Sequence, residues 1–125
     1  MDEERYKKGM EVRKKLFGDY HPRDSKACDE LAPDYLKLAR ECIFGGIWTR
    51  PGLDMKSRSL ITLAMQTVLQ RWEELRLHIR GAVNLGISKE QIIEVFMQAG
   101  FYAGVPVGKI AITIAKEVFE EMNVK

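Results

Sequence analysis

Cysteine is scarce in this chain of 125 residues, which contains only Cys28 and Cys42 with thirteen positions between them. That spacing is not the CxxC of a redox or zinc-binding pair, and two thiols cannot hold a zinc ion without distant ligands. Phosphate-binding glycine motifs of the GxGxxG and GxxxxGK[ST] types are also absent. We therefore expect reduced thiols, no metal site and no cofactor.

Long apolar runs and blocks of one charge are missing as well. No uninterrupted apolar run approaches the roughly 20 residues needed to cross a bilayer, and the acidic N-terminus lacks the apolar segment of a signal peptide. Twenty basic residues are mixed with eighteen acidic ones, for a formal net charge of +2. Without a basic patch, nucleic-acid binding has little support. We predict a cytoplasmic protein that binds neither membrane nor nucleic acid.

The residues that are present suit one globular domain covering residues 1–125. This length falls in the commonest range for a single domain and can bury about two-thirds of the unfolded surface. Hydrophobic residues make up 46% of the chain and charged residues 30%. No metal or disulfide is needed to complete such a core.

Helical spacing dominates the hydrophobic pattern, and no strand with alternating polarity is found. The pattern and its end signals predict an all-α fold of about six helices. The expected helices lie near 2–17, 33–44, 54–69, 72–85, 88–103 and 107–118, and residues 19–29 are predicted to form a loop or short turn.

Apolar residues exceed what so small a chain can bury. The second helix has one apolar face at helical spacing (Tyr35, Leu38, Ala39, Cys42, Ile43), which we expect to be buried. The third and fifth helices are apolar on nearly every side. Because exposed apolar patches of that extent mark interfaces, we predict a homo-oligomer.

One segment resembles a known family. The residues IWTRPGLD at 47–54, followed by RSL at 58–60 and TLAM at 62–65, are similar to the most distinctive segment of the γ-carboxymuconolactone decarboxylases. Weaker similarity extends from about Glu4 to Phe119. The resemblance implies an all-helical fold shared with the alkylhydroperoxidase AhpD, assembled as a ring-like hexamer. It also implies cofactor-independent loss of CO2 from 4-carboxymuconolactone to give 3-oxoadipate enol-lactone, a step in aromatic compound degradation.

Two departures qualify this resemblance. One branch of the superfamily reduces disulfides through a CxxC followed by a histidine, whereas the stretch from Arg71 to His78 keeps the histidine without the cysteines. In addition, Val107–Lys109 and Ile112–Ile114 differ from the decarboxylase pattern. The first departure argues against an antioxidant enzyme, and the second leaves open another small carboxylic acid as substrate.

The implied chemistry needs few protein groups, because the lactone carbonyl accepts the electrons left by CO2. The protein must bind carboxylates, stabilise the charge on the carbonyl oxygen and deliver a proton to carbon. We predict His78 as the proton donor, since free imidazole titrates near 6.5. Glu74, four residues earlier, is predicted to orient the imidazole and favour its protonated form, and Arg71 to receive a substrate carboxylate. The alternative is a surface Glu–His pair with no catalytic role.

Five further residues are candidates for substrate binding. Arg50 and Arg58 are predicted to bind the dianionic substrate, although Arg58 is equally suited to pair with an acid of a neighbouring subunit. Trp48 suits packing better than a substrate platform, and His21 suits an exposed loop better than catalysis. For Tyr102, on a helix expected to be buried, we favour a hydroxyl bonded to a backbone carbonyl over one that donates to the lactone.

Three functions therefore compete. The leading hypothesis is a carboxy-lyase acting on a small carboxylated lactone. The second is a non-catalytic oligomer of the same fold that binds a small ligand, and the third, disfavoured by the missing CxxC, is a thiol-dependent antioxidant protein.

Overall fold

A computed structural model describes all residues, 1–125, and shows seven α-helices with no β-strand. The predicted all-α class is confirmed, with seven helices rather than about six. None of the helices combines the length and apolarity required to cross a membrane. In chain order the elements are α1 (Glu3–Phe17), α2 (Arg23–Leu31), α3 (Pro33–Cys42), a π-helical segment (Ile43–Ile47), α4 (Met55–Val68), α5 (Trp72–Asn84), α6 (Lys89–Ala103) and α7 (Val105–Glu121).

Side-chain caps begin three of these helices. The Asp2 carboxylate accepts from the Arg5 N–H at the start of α1, and Asp54 does the same for α4 by accepting from the Ser57 N–H. At α6, Ser88 and Gln91 form the reciprocal capping box that their spacing predicted. Gly86, just beyond α5, has a φ of 83°, which glycine adopts without strain. The predicted starts of α1, α4 and α6 and the predicted end of α5 are therefore confirmed.

The loop predicted at 19–29 is wrong, because residues 23–31 form α2. Pro22 precedes the helix in an extended conformation, and Asp24 places negative charge in its first turn. The helix was missed because it buries no residue and so has no apolar stripe. Its backbone lies close to α3 and to no other helix.

The predicted helix end at Gly45 is also wrong, because the chain continues from α3 into the π segment. A Cβ on Gly45 would overlap the Arg5 carbonyl oxygen, and one on Gly9 would lie 2.7 Å from the Arg40 carbonyl oxygen. Glycine at both positions therefore lets the backbones of α1 and the α3–π segment approach closely. A π turn holds an extra residue compared with an α turn. Each extra residue rotates the side chains that follow by about 100° about the helix axis.

Two buried clusters form the core, and α5 contributes to both. The larger cluster joins α4, α5, α6 and α7 around Leu63, Ile79 and Phe96. The smaller cluster joins α1, the π segment and α5, and contains Leu16, Phe17, Phe44, Trp48 and Leu77. Gly100 and Gly108 let α6 and α7 meet closely within the larger part, since a Cβ on Gly100 would lie 2.9 Å from the Gly108 Cα.

The buried face predicted for the second helix is wrong for the single chain. Tyr35 is 68% exposed, and Leu38, Cys42 and Ile43 are also exposed. Hydrophobic spacing alone left two neighbouring faces possible, and the face turned inward carries Leu36, Ala39 and Arg40. The outer sides of α4 and α6 likewise leave large apolar side chains exposed: Ile61, Met65, Val68, Met97, Phe101 and Tyr102.

Candidate active site

A cavity of about 500 Å³ lies between α1, α3, the π segment, α4 and α5, with one residue of α2 at its edge. Its size suits a small organic molecule. Ten of the eighteen lining residues are hydrophobic, and the polar ones are Arg13, Ser25, Arg40, Arg58, Thr62, Gln66, Glu74 and His78. A mostly apolar wall with a few charged groups can both hold and orient an anionic ligand.

His78 lies in this cavity between two aromatic rings. Its side chain is on α5 and only 8% of the residue is exposed. The Phe17 ring meets the imidazole edge-on at 5.3 Å between centroids, and the Trp48 ring lies nearly parallel to it at 6.5 Å. No protein group hydrogen-bonds to the imidazole. The ring is thus held by packing, and its nitrogens have no hydrogen-bond partner within the chain.

The surroundings of His78 favour its neutral form at neutral pH. Burial, and after it the positive charge of Arg13, lower the pKa of His78 to about 4. Burial therefore favours the neutral imidazole in the free protein, whereas the predicted proton donor needs the protonated form. The spacing argument gave His78 a carboxylate partner and did not count its burial.

Glu74 shares the cavity with His78, as the spacing of four residues predicted, but the two side chains form no hydrogen bond. Glu74 is half-buried and has no partner for its carboxylate. Desolvation raises the pKa of Glu74, and the charge of Asp24 adds to this, whereas Arg13 opposes it. Glu74 therefore does not stabilise an imidazolium in the way that was expected.

Three arginines line the cavity, and each has different surroundings. Arg58 donates from Nη2 to the Arg50 carbonyl oxygen at 3.1 Å, and its buried Nε has no partner. Arg40 forms an ion pair with Asp29 at 3.5 Å. Arg13 lies over the rings of the smaller buried cluster and has no carboxylate within salt-bridge distance. Of the predicted arginines, only Arg58 is in the site.

Two predicted arginines do not line the cavity. Arg50 is exposed in the connector and contributes only its backbone carbonyl to Arg58. Arg71 comes seven residues before His78, which is about 10 Å further along the helix axis. It is exposed and immediately precedes the helix. Neither side chain lines this cavity, and their role as substrate ligands stays a prediction.

His21 and Tyr102 also lie outside the cavity. His21 is exposed in the connector before α2, which matches the preferred interpretation of its sequence. Tyr102 is 86% exposed on α6, so the prediction of a buried hydroxyl bonded to the backbone is wrong. The apolar residues around Tyr102 belong to a surface of α6 that no other part of the chain covers. Trp48 is buried in the smaller cluster, as expected of a packing residue, and lines the cavity too.

Arg13 and Arg40 are site residues that sequence reasoning missed. Arg13 lies among lysines and glutamates in the sequence of α1, yet it shares the buried stripe of Gly9, Leu16 and Phe17. A charged residue inside an apolar stripe was the available signal. Val107–Lys109, where the sequence departs from the decarboxylase pattern, do not line the cavity.

An apolar cavity with three cations, one carboxyl group and a neutral imidazole defines a site for a small organic anion in an all-helical protein. Comparison with known proteins identifies the group to which it belongs. Residues 33–117 match the profile described as the carboxymuconolactone decarboxylase family. The chain therefore belongs to that family, and the resemblance in its sequence is confirmed.

Individual relatives extend the match over most of the chain. A 4-carboxymuconolactone decarboxylase of Acinetobacter baylyi is 36% identical over 98% of this chain and 92% of its own length. A nitrosuccinic acid decarboxylase of Metarhizium robertsii is 33% identical over 94% of this chain and 82% of its own. An uncharacterised 15.0 kDa protein of Paracoccus denitrificans is 34% identical over 78% of this chain and 75% of its own. The chain is accordingly a decarboxylase, that is, a carboxy-lyase.

Proposed function

We propose that this protein decarboxylates 4-carboxymuconolactone, or a closely related small carboxylated lactone, to 3-oxoadipate enol-lactone without a cofactor. The observation that carries the proposal is the cavity itself, which encloses His78 together with arginines that have free donors. Support for the substrate comes from the relative in Acinetobacter baylyi, whose name states this activity.

In the proposed reaction, the substrate accepts its own electrons. The bond to the leaving carboxylate breaks, CO2 departs, and the electron pair moves into the lactone carbonyl. Arg58 donates from its unpartnered Nε to a substrate carboxylate and helps to hold the substrate. His78 then gives a proton to carbon and returns to the neutral form. A bound anion offsets the lowering of the pKa of His78, so the imidazole takes up a proton from solvent when the substrate binds.

Replacement of His78 tests this role. We expect His78→Gln and His78→Ala to reduce turnover of 4-carboxymuconolactone by about 10² or more, because protonation of carbon loses its donor. Loss of ultraviolet absorbance and release of CO2 provide the measurement, and circular dichroism checks the fold. His21→Gln is the matched control, since the other histidine of the chain is exposed and outside the cavity. Near-normal turnover in both His78 variants would contradict the proposal.

A second substrate is worth the same assay. The relative in Metarhizium robertsii is named for nitrosuccinic acid, which shows that this family includes an enzyme named for another small acid. Turnover of that compound, and none of the lactone, would move the proposal to that substrate. Binding of both without turnover would favour the non-catalytic ligand binder.

We propose further that the chain forms a homo-oligomer with the AhpD-like arrangement, a hexamer being the form that the family resemblance implies. The exposed apolar side chains of α4 and α6 support association. A groove between these helices continues the apolar surface beside the cavity, and Ile61 borders both.

A further inference from the structure

We infer that Arg13 is a specificity-determining residue of this site: its guanidinium binds a carboxylate of the substrate, and that ion pair allows His78 to take up the proton used in the reaction. The inference rests on the proposed function in one respect, because it assumes that the cavity takes carboxylate anions. Arg13 lies outside residues 33–117, the part of the chain that matches the family profile.

The first step of the argument is the burial of an unpaired cation. Arg13 is only 7% exposed in the middle of α1, and no carboxylate lies within 4.0 Å of its guanidinium. The guanidinium carbon is 5.4 Å from the Phe17 ring centroid and 5.9 Å from that of Phe44. Aromatic faces hold a cation in place but do not neutralise its charge. Buried charges in proteins are normally paired, so this one is suited to a ligand anion.

The other two arginines of the cavity differ in this respect. Asp29 already offsets the charge of Arg40, and the Arg50 carbonyl already accepts a hydrogen bond from Arg58. Arg13 therefore keeps its whole charge and its planar set of donors for a carboxylate. A substrate with two carboxylates can thus be held at Arg58 and Arg13 together, whereas a monocarboxylate leaves one of them without a partner.

No carboxylate of the chain pairs with Arg13. Glu74 is the single carboxyl group that lines the cavity. Burial disfavours its charged form and so raises its pKa. Desolvation, followed by repulsion from Arg40, lowers the pKa of Arg13. The charges of Glu74, Asp29 and Tyr6 act on Arg13 in the opposite direction and do not reverse the result. The guanidinium is thus destabilised until an anion enters.

Arg13 and His78 lie against the same aromatic ring, that of Phe17. The Phe17 ring lies 5.4 Å from the guanidinium carbon and 5.3 Å from the imidazole centroid, so both groups flank it. The two causes that lower the pKa of His78 are its burial and Arg13. A carboxylate bound to Arg13 removes that repulsion and adds a negative charge, and both effects favour the imidazolium. One proton then enters from solvent as the substrate binds, and the reaction transfers it to carbon.

The experiment uses succinate, a dicarboxylate that this reaction cannot decarboxylate, and butyrate as the monocarboxylate of equal length. The chain has only two histidines, so NMR gives one imidazole signal for His78 and one for the exposed His21 as an internal reference. We expect succinate to raise the pKa of His78 by about one unit or more and butyrate to raise it less. The His21 signal is expected to stay unchanged.

Variants assign the effect to Arg13. We expect Arg13→Gln to raise the pKa of His78 in the free protein, to weaken succinate binding by about tenfold or more, and to abolish the further shift on binding. Arg13→Lys keeps the charge, so it is expected to keep the low pKa of His78 while binding succinate less tightly. Lys14→Gln, at the neighbouring exposed position of α1, is the matched control and is expected to behave as the unaltered protein.

The inference is overturned if the His78 signal does not move when succinate is added to the unaltered protein, or if Arg13→Gln, folded by circular dichroism, changes neither the titration nor the affinity. If Arg13→Gln does not fold, Arg13→Lys decides: unchanged succinate affinity in it also overturns the inference. Because succinate is not turned over, an Arg13-dependent shift in a protein without decarboxylase activity would reject the proposed function and keep this inference.

Discussion

His78 occupies surroundings that favour its neutral form, although the proposed reaction needs it as a proton donor. The conflict is resolved if the charge state of the imidazole depends on what else is in the cavity. In the absence of a ligand, its burial has a cost that depends on pH, and this cost is measurable as protein stability. Unfolding then reports on the site without any substrate.

We predict that the free energy of unfolding falls between pH 6.5 and pH 4 because of His78. The folded pKa of about 4 lies below the unfolded value of 6.5, so in this range the unfolded chain binds the proton and the folded chain does not. The contribution of His78 is complete above pH 6.5 and is lost as the pH falls, by about 2 kcal/mol at pH 5. Urea unfolding of the unaltered protein and of His78→Gln at pH 7 and pH 5 measures it.

The difference between the two proteins is the quantity to compare, because Glu74 titrates in both. Its raised pKa works in the opposite direction and cancels when the pH dependences are subtracted. His21→Gln should keep the full pH dependence. Equal slopes for the unaltered protein and His78→Gln would show that His78 is not kept neutral by burial.

Among the elements, the π segment has the greatest effect on the site. It supplies Phe44 to the smaller cluster and leads directly to Trp48, the ring that lies parallel to His78. Its position against α1 depends on Gly45, which contacts the Arg5 backbone. The cavity wall is therefore set by a backbone contact between two helical elements.

We predict that Gly45→Ala destabilises the protein by about 2 kcal/mol or more, because its Cβ would overlap the Arg5 carbonyl oxygen and the backbone would have to move. Gly46→Ala is the matched control. A Cβ there meets nothing closer than the Glu41 carbonyl oxygen at 3.7 Å, so we expect a change within about 1 kcal/mol. Urea unfolding of both variants gives the comparison, and equal stabilities would contradict the close contact.

Most elements of this fold were predictable from the sequence, but two were not. The starts of α4 and α6 could be predicted from Asp54 and Ser88, because side-chain caps are local sequence signals. The polar helix α2 was missed since it has no apolar stripe. The π segment was missed since Gly45 is there for a contact with a residue forty positions away, which local spacing does not contain.

The candidate site was predictable only in part, for a similar reason. The helix period correctly placed Glu74 and His78 on one side of α5, and Arg58 next to an apolar helix. It did not specify how far along the axis the cavity extends, which is why Arg71, predicted beside these residues, does not line the cavity. Arg13 comes from the other end of the sequence and reaches the site only through the packing of α1 on the π segment and α5.

The whole molecule leaves seventeen large apolar side chains exposed, and contiguous apolar surface of this kind marks interfaces. Several of them border the groove between α4 and α6, which includes Val68 and Tyr102. The cavity opens beside the same surface, since Ile61 lines both. Association through this surface would therefore affect access to the site as well as stability.

We predict that light scattering after gel filtration gives a mass several times the 14.4 kDa of one chain, with six copies, about 86 kDa, as the expected form. Val68→Glu is expected to lower that mass, because it places a charge in the apolar groove without touching the cavity. Thr113→Glu, on the exposed side of α7, is the matched control and should keep the mass of the unaltered protein. A mass of one chain for the unaltered protein would reject the oligomer. An oligomer that Val68→Glu leaves intact would instead move the interface to the exposed apolar residues of α3 and the π segment.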